Sequence, residues 1–169
     1  MTTYSVDFLA GLIVGEGCFT LSVNRLKQSK TDWLRITPIF SISMTDFEVM
    51  ENVAHSFREY DLPVYMRNIS ALNAKRERRP ALNLHISGIK RCHRISSFFL
   101  PHLIGNKRDA AEVVRDYCEH RLTRHHRGIS EDDIECIERI RKVNGTNGVR
   151  RHSVADLRDY KMGLDKHRA

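Results

Sequence analysis

The hydrophobic period of the chain changes at Gly17, and this change constrains the fold more than any other feature of the sequence. Before Gly17 lies a short apolar segment that begins at Ser5, a residue type that caps helix N-termini well. After Gly17 the period is two, because Phe19, Leu21 and Val23 alternate with polar residues. Such alternation is typical of a half-buried strand. The sequence therefore predicts a helix that leads directly into a strand.

The rest of the chain predicts three more strands and several helices. In chain order these are a strand at about 33–44, a helix capped by Thr45 or Asp46, strands after Pro63 and at about 82–87, and helices at 89–100, 107–122, 130–143 and 153–160. Pro38, inside the second strand, favours an edge position or a bulge. Helices collected on one face of a four-stranded antiparallel sheet make an α+β fold. We expect one domain over 1–169, with its core at about 5–120 and C-terminal helices at about 130–160.

The charge balance favours a polyanionic partner. Lysine and arginine total 28 against 21 acidic residues, a net charge of +7 with neutral histidines. Cations that neutralise phosphates release condensed counterions, which favours nucleic-acid binding. The longest apolar stretches, such as 8–14, are far shorter than the roughly 20 residues that span a bilayer. We expect no membrane partner and an intracellular protein, in a prokaryote or an organelle.

The four cysteines do not have the spacing of a zinc ribbon or a redox motif. They lie at positions 18, 92, 118 and 136 without a CxxC pair. Reduced, partly buried thiols are the expected state. A metal cluster of Cys118, His120, His125 and His126 is the alternative, although this segment lacks paired ligand spacing.

Small residues line one part of the predicted first helix. Gly11 and Gly15 are four residues apart, and Ala10 lies beside them. Each glycine costs up to about 1 kcal/mol relative to alanine inside a helix. A helix that accepts this cost gains a strip where another backbone can approach closely. The spacing therefore predicts a close contact along this helix.

The segment Phe8–Gly17, with the sequence FLAGLIVGEG, resembles the motif that names the LAGLIDADG homing endonucleases. Residues 9–13 match the motif letter for letter, and Glu16 falls at its acidic position. Val14 replaces the first aspartate of the motif, and Gly15 replaces alanine. The order of strands and helices over about 5–120 is similar to the whole family core. The resemblance implies the family fold, in which helices cover one sheet face and the other forms a saddle for DNA.

The motif occurs once, and members with one motif act as homodimers whose motif helices pair. The resemblance thus implies a dimer interface at Ala10, Gly11, Val14 and Gly15. It implies cleavage of both strands of double-stranded DNA at a long pseudo-palindromic site, which promotes intron homing. The alternative is a non-cleaving protein of the same fold, either an intron maturase that binds RNA or a transcription regulator.

The resemblance also implies a metal-dependent reaction at Glu16. A carboxylate at the negative end of a helix, paired with its symmetry mate and close to phosphates, needs cations. Mg²⁺ prefers such oxygen ligands, with Mn²⁺ as a substitute and Ca²⁺ as an ion that binds without turnover. By analogy with the family, the carbonyl of Gly15 is a further ligand. Lys107 is the expected basic catalytic residue, with Arg108 second, and basic residues at a solvated helix start are the alternative.

Two further features concern water and DNA. The position that orients water in the family corresponds to Met44, which does not hydrogen-bond usefully, so Ser43 or Thr45 is the candidate substitute.

The outward strand positions are expected to contact bases, where arginine suits guanine and asparagine suits adenine. They are Ser22, Asn24, Arg35, Thr37, Ser41, Tyr65, Arg67, Asn83 and His85. Predicted loop tips carry the expected phosphate contacts, at Lys27, Lys30, Arg76, Arg78 and Arg79.

Overall fold

The computed structural model of the chain describes residues 1–28, 31–70, 79–124, 128–145 and 156–160, without the side chains of residues 25–28 and 31–33. Its elements, in chain order, are α1 (Val6–Glu16), β1 (Gly17–Gln28), β2 (Thr31–Met44), α2 (Phe47–Glu59), β3 (Met66–Asn68), β4 (Leu82–Ser87), α3 (Ile89–Phe99), a 3-10 turn (Leu100–His102), α4 (Gly105–Thr123) and α5 (Glu131–Val143). Residues 156–160 are also helical. The predicted α+β fold is confirmed. Among the helices of the described ranges, none has the length and apolarity needed to cross a membrane.

The four strands form one antiparallel sheet in the order β1-β2-β4-β3. β1 and β2 form a long hairpin, in which Gly17 pairs with Ile42. The ladder between β2 and β4 begins only at Ile39. At Pro38, therefore, β2 has a strand neighbour on one side alone, which is the edge position that a proline requires.

The core lies between one face of the sheet and the helices. Four phenylalanines cross it in contact, with ring centroids 4.7 Å apart for Phe19 and Phe40, 6.2 Å for Phe40 and Phe57, and 5.5 Å for Phe57 and Phe99. All four are fully buried, and such aromatic pairs contribute about 0.5–1.5 kcal/mol each beyond their burial. This packing holds α2 and α3 on the sheet and leaves the opposite face uncovered by these helices.

Helix α1 begins as the sequence predicts, with the Ser5 hydroxyl accepting a hydrogen bond from the Phe8 amide at 3.2 Å. It packs on the core through Leu9, Ala10 and Ile13. Because these three residues face the core, the opposite side of α1 faces outward.

Candidate functional site

The junction between α1 and β1 requires glycine at position 17. A Cβ atom at Gly17 would lie 2.6 Å from the carbonyl oxygen of Ile13 and 2.9 Å from its Cα atom. These are backbone atoms, which have little freedom to move. The Gly17 amide donates to the same carbonyl and ends the helix. The chain thus turns directly into the sheet and leaves Glu16 exposed at the carboxyl end of α1.

Lys107 lies at this junction, although it is 90 residues from Gly17 in the sequence. It belongs to the first turn of α4, and its Nζ donates a hydrogen bond to the Gly17 carbonyl. The structure therefore brings a cation next to the residue that follows Glu16. Arg108, the second candidate, is exposed on the next position of the helix.

The outer face of the sheet carries rows of side chains that the strand register defines. In order from the end nearest Glu16, the rows are Ser43 with Asn83 and Arg67; Cys18 with Ser41 and His85; Thr20 with Ile39 and Ser87; Ser22 with Thr37; and Asn24 with Arg35. The Tyr65 carbonyl accepts from the His85 amide at 2.8 Å, which places Tyr65 beside the second row. All nine strand residues that were expected to contact bases lie on this face, and at its described positions the face has no carboxylate.

On the helical side, six arginines form ion pairs with carboxylates. Ion pairs join Arg94 to Asp61, Arg115 and Arg139 to Asp116, Arg121 to Asp133, Arg124 to Asp132, and Arg158 to Glu131 and Glu138. Much of the positive charge around the helices is therefore compensated, whereas Arg35 and Arg67 on the outer face form no ion pair with any residue that the structure describes. This segregation suits a polyanion that lies on the sheet.

The expected phosphate contacts on the loop tips are only partly described. Arg79 is exposed. Lys30, Arg76, Arg78 and the side chain of Lys27 lie outside the described residues.

The outward face of α1 differs from the expected one. Ala10 is only 3% exposed and packs into the core of its own chain, which leaves little of its surface for a second subunit; its assignment to a dimer interface stays a prediction. Phe8, Gly11 and Gly15 are exposed, whereas Leu12 and Val14 are half-buried. The residues 8, 11, 12 and 15 have the spacing of one helix face. Phe8 and Leu12, which were not among the residues predicted for the interface, belong to this face.

The glycines on this face are not required by the chain's own packing. A Cβ atom at Gly11 or at Gly15 would meet nothing within 4 Å. The small size of these residues therefore serves no described contact within the subunit. An apolar helix face with two such glycines is suited to the close approach of a second backbone.

The strand register also shows which residue at the end of β2, Met44 or Ser43, lies on the outer face of the sheet. Met44 pairs with Leu82, whose side chain is buried, so Met44 belongs to the core face of the sheet. Ser43 is exposed on the outer face, where its hydroxyl accepts a hydrogen bond from the Asn83 side chain at 2.6 Å. Ser43 is thus the polar residue nearest the end of β2 on the side of Glu16.

All four cysteines are free, and three of them are buried. Burial raises the pKa of the Cys118 thiol strongly, which opposes metal binding by a thiolate. Within the described ranges, no three His, Cys, Asp or Glu side chains come together as a metal cluster. Cys18 is the exposed cysteine, on the outer face; burial of part of the thiol raises its pKa, and the charge of Lys107 acts in the opposite direction.

Comparison with known proteins identifies the family. The sequence profile of the LAGLIDADG endonucleases matches residues 9–112. The chain therefore belongs to the LAGLIDADG endonuclease family. None of the curated protein sequences matches it.

Solved structures share the fold. The homing endonuclease I-CvuI, solved with its target in the presence of Ca, is similar with a TM-score of 0.66 at 13% identity, over 94% of each chain. I-TnaI has a TM-score of 0.64 at 21% identity, over 86% of this chain and 92% of its own. I-LtrWI, solved bound to target DNA, has a TM-score of 0.65 at 22% identity, and this chain matches 47% of its length.

Proposed function

We propose that this chain is a homing endonuclease that, as a homodimer, cleaves both strands of double-stranded DNA at a long pseudo-palindromic site and thereby promotes intron homing. One observation carries the proposal: Lys107 bonds the carbonyl of Gly17, the residue next to Glu16, at one end of a polar sheet face that has no carboxylate among its described residues. A DNA duplex on this face would have a phosphate near Glu16. The DNA-bound structures of I-CvuI and I-LtrWI, which share the fold, support the same substrate.

The homodimer is supported by the exposed face of α1. Phe8 is 46% exposed there, on the same helix face as Gly11 and Gly15. A two-fold axis along α1 would bury this apolar face against its copy, as in an isologous interface. The same axis would bring two copies of Glu16 together between the two sheets. Each subunit then reads one half of a pseudo-palindromic site.

The residues at the junction fit a divalent metal of the Mg²⁺ type. Glu16 offers an exposed carboxylate, and the Gly15 carbonyl at the end of α1 is a second oxygen donor of the kind that Mg²⁺ accepts together with phosphates and water. A bound ion would supply charge stabilisation and an acidified water. The chain's own contribution is to hold the carboxylate at a rigid junction, with the Lys107 ammonium on the Gly17 carbonyl beside it. Lys107 is then in place to stabilise negative charge on the phosphate.

The rows of the outer face would read bases at different distances from the cut. Residues 18 to 24 of β1 are six steps of about 3.3 Å, so they cover about 20 Å, or roughly six base pairs of about 3.4 Å. Ser41, in the row of Cys18, would read near the centre of the site. Asn24 and Arg35 would read about six base pairs further out.

Substitution of the metal-binding carboxylate tests this function. Purified protein is incubated with the intron-free junction of its host gene, with and without Mg²⁺. We expect Mg²⁺-dependent cleavage by the wild type, and a loss of at least about 100-fold in the cleavage rate for Glu16→Gln, because several kcal/mol of charge stabilisation are removed. DNA affinity of this variant should change only a few-fold.

The control is Glu51→Gln, which makes the same change at an exposed position of α2. It should cleave like the wild type. Equal loss of binding and cleavage in Glu16→Gln would contradict a metal-binding role. If the wild type binds DNA tightly but never cleaves it, the chain is a DNA-binding protein without nuclease activity, and the proposed cleavage is wrong.

A further inference from the structure

A cleft of about 370 Å³ opens beside the outer face, where β4 ends and α3 begins. Its polar lining consists of Tyr65, Arg67, His85, Ser87 and Arg91, and no acidic residue contributes to it. Arg91 is exposed in the first turn of α3, outside the strands. It was not among the residues that the sequence pointed to.

Both arginines of the cleft carry uncompensated charge. Within the part of the chain that the structure describes, neither Arg67 nor Arg91 forms an ion pair, in contrast to Arg94, Arg115, Arg121 and Arg124. The Arg67 guanidinium carbon lies 5.0 Å from the centroid of the Tyr65 ring. Stacking of this kind orders the flat guanidinium and leaves the N–H groups at its edge available. The cleft is therefore a preformed set of donors.

The positive electrostatic potential of the cleft also acts on His85. Burial lowers the pKa of its imidazole, and the charge of Arg67 lowers it further. The ring is thus neutral near pH 7 and offers one N–H donor. A ligand of this cleft must bring negative charge and accept hydrogen bonds. A guanine edge also offers acceptors, but it carries no negative charge, whereas a phosphodiester group offers acceptors and a full negative charge.

We propose that Arg91 and Arg67, with His85 and Tyr65, hold one backbone phosphate of each DNA half-site in this cleft. The inference rests on the proposed DNA-binding function. It changes the expected role of Tyr65, Arg67 and His85 from reading bases to fixing the duplex on the sheet. Phosphate contacts set the register of a protein on DNA without sequence information.

The first test compares Arg91→Gln with Lys90→Gln, a matched control that removes the same charge from the neighbouring exposed residue. Affinity for the target duplex and for a scrambled duplex is measured without Mg²⁺ over a range of salt concentrations. Arg91→Gln should weaken both complexes about tenfold and lower the salt slope by about 1 per subunit. Lys90→Gln should stay within about twofold of the wild type. Arg67→Gln should repeat the effect of Arg91→Gln, and thermal unfolding checks that each variant is folded.

The second test replaces single phosphates of the target by neutral methylphosphonates. The wild type should lose affinity at one particular linkage in each half-site, and Arg91→Gln should lose nothing more at that linkage. Equal behaviour of Arg91→Gln and Lys90→Gln, in a protein that binds and cleaves normally, would overturn the clamp but not the proposed function. A wild type that binds no duplex would instead contradict the proposed function. Saturable binding of inorganic phosphate that depends on Arg91, without any effect on DNA, would identify a free-anion site and also overturn the proposal.

Discussion

Alanine at Gly11 should strengthen the subunit and weaken the dimer, so the two effects have opposite signs. The added Cβ atom would meet nothing within 4 Å inside the chain. Alanine stabilises a helix interior by up to about 1 kcal/mol relative to glycine, and the unfolding free energy of the isolated subunit should rise accordingly. In a closely packed helix pair each extra methyl group costs about 1–3 kcal/mol. Because a two-fold axis doubles the change, the dimer should lose at least about 2 kcal/mol, or about 30-fold in Kd.

Sedimentation velocity over a range of protein concentrations gives the dimer Kd, and denaturant unfolding well below that concentration gives the stability of the subunit. The control is Ser97→Ala, at an exposed position of α3, where the gain in helix propensity has no dimer contact to oppose it. Its Kd should equal that of the wild type. If Gly11→Ala dimerises as tightly as the wild type, the exposed face of α1 is not the closely packed seam, and the explanation for its glycines is wrong.

Two further predictions concern the outer face. N-ethylmaleimide should label Cys18 before the other three cysteines, since these are buried and burial raises the pKa of Cys92 to about 12. A duplex at ten times its Kd should slow the labelling of Cys18 about tenfold, as measured by mass spectrometry. Unchanged labelling would mean that DNA does not cover Cys18. Ile39, an aliphatic side chain between Thr20 and Ser87, should contact a thymine methyl group. Replacing that thymine by uracil should lower the DNA affinity of the wild type about fourfold, because a buried methyl group contributes about 0.8 kcal/mol. The same replacement should not change the affinity of Ile39→Ala. A wild type that tolerates uracil at every thymine position would contradict the contact.

The sequence by itself determined the elements and their order. The cap at Ser5, the change of period at Gly17 and the alternation after Phe19 are local signals, because helix caps and side-chain periods depend on near neighbours. The motif around Glu16 was sufficient to predict the family and the fold. Pro38 likewise indicated an edge position or a bulge, because proline has no N–H to donate to a second neighbouring strand.

Only the tertiary structure decided which side of each element faces the core and which distant residues meet. Ala10 and Gly11 are neighbours in one apolar helix, yet the position of the sheet buries the first and exposes the second. Pairing with Leu82 directs Met44 inward and leaves Ser43 outward, since a shift of one residue exchanges the faces of a strand. Lys107 reaches Gly17, and Arg91 joins Arg67 in one cleft, through contacts between segments far apart in the chain. Local patterns specify conformation, whereas the functional surface depends on non-local packing, which no short stretch of sequence encodes.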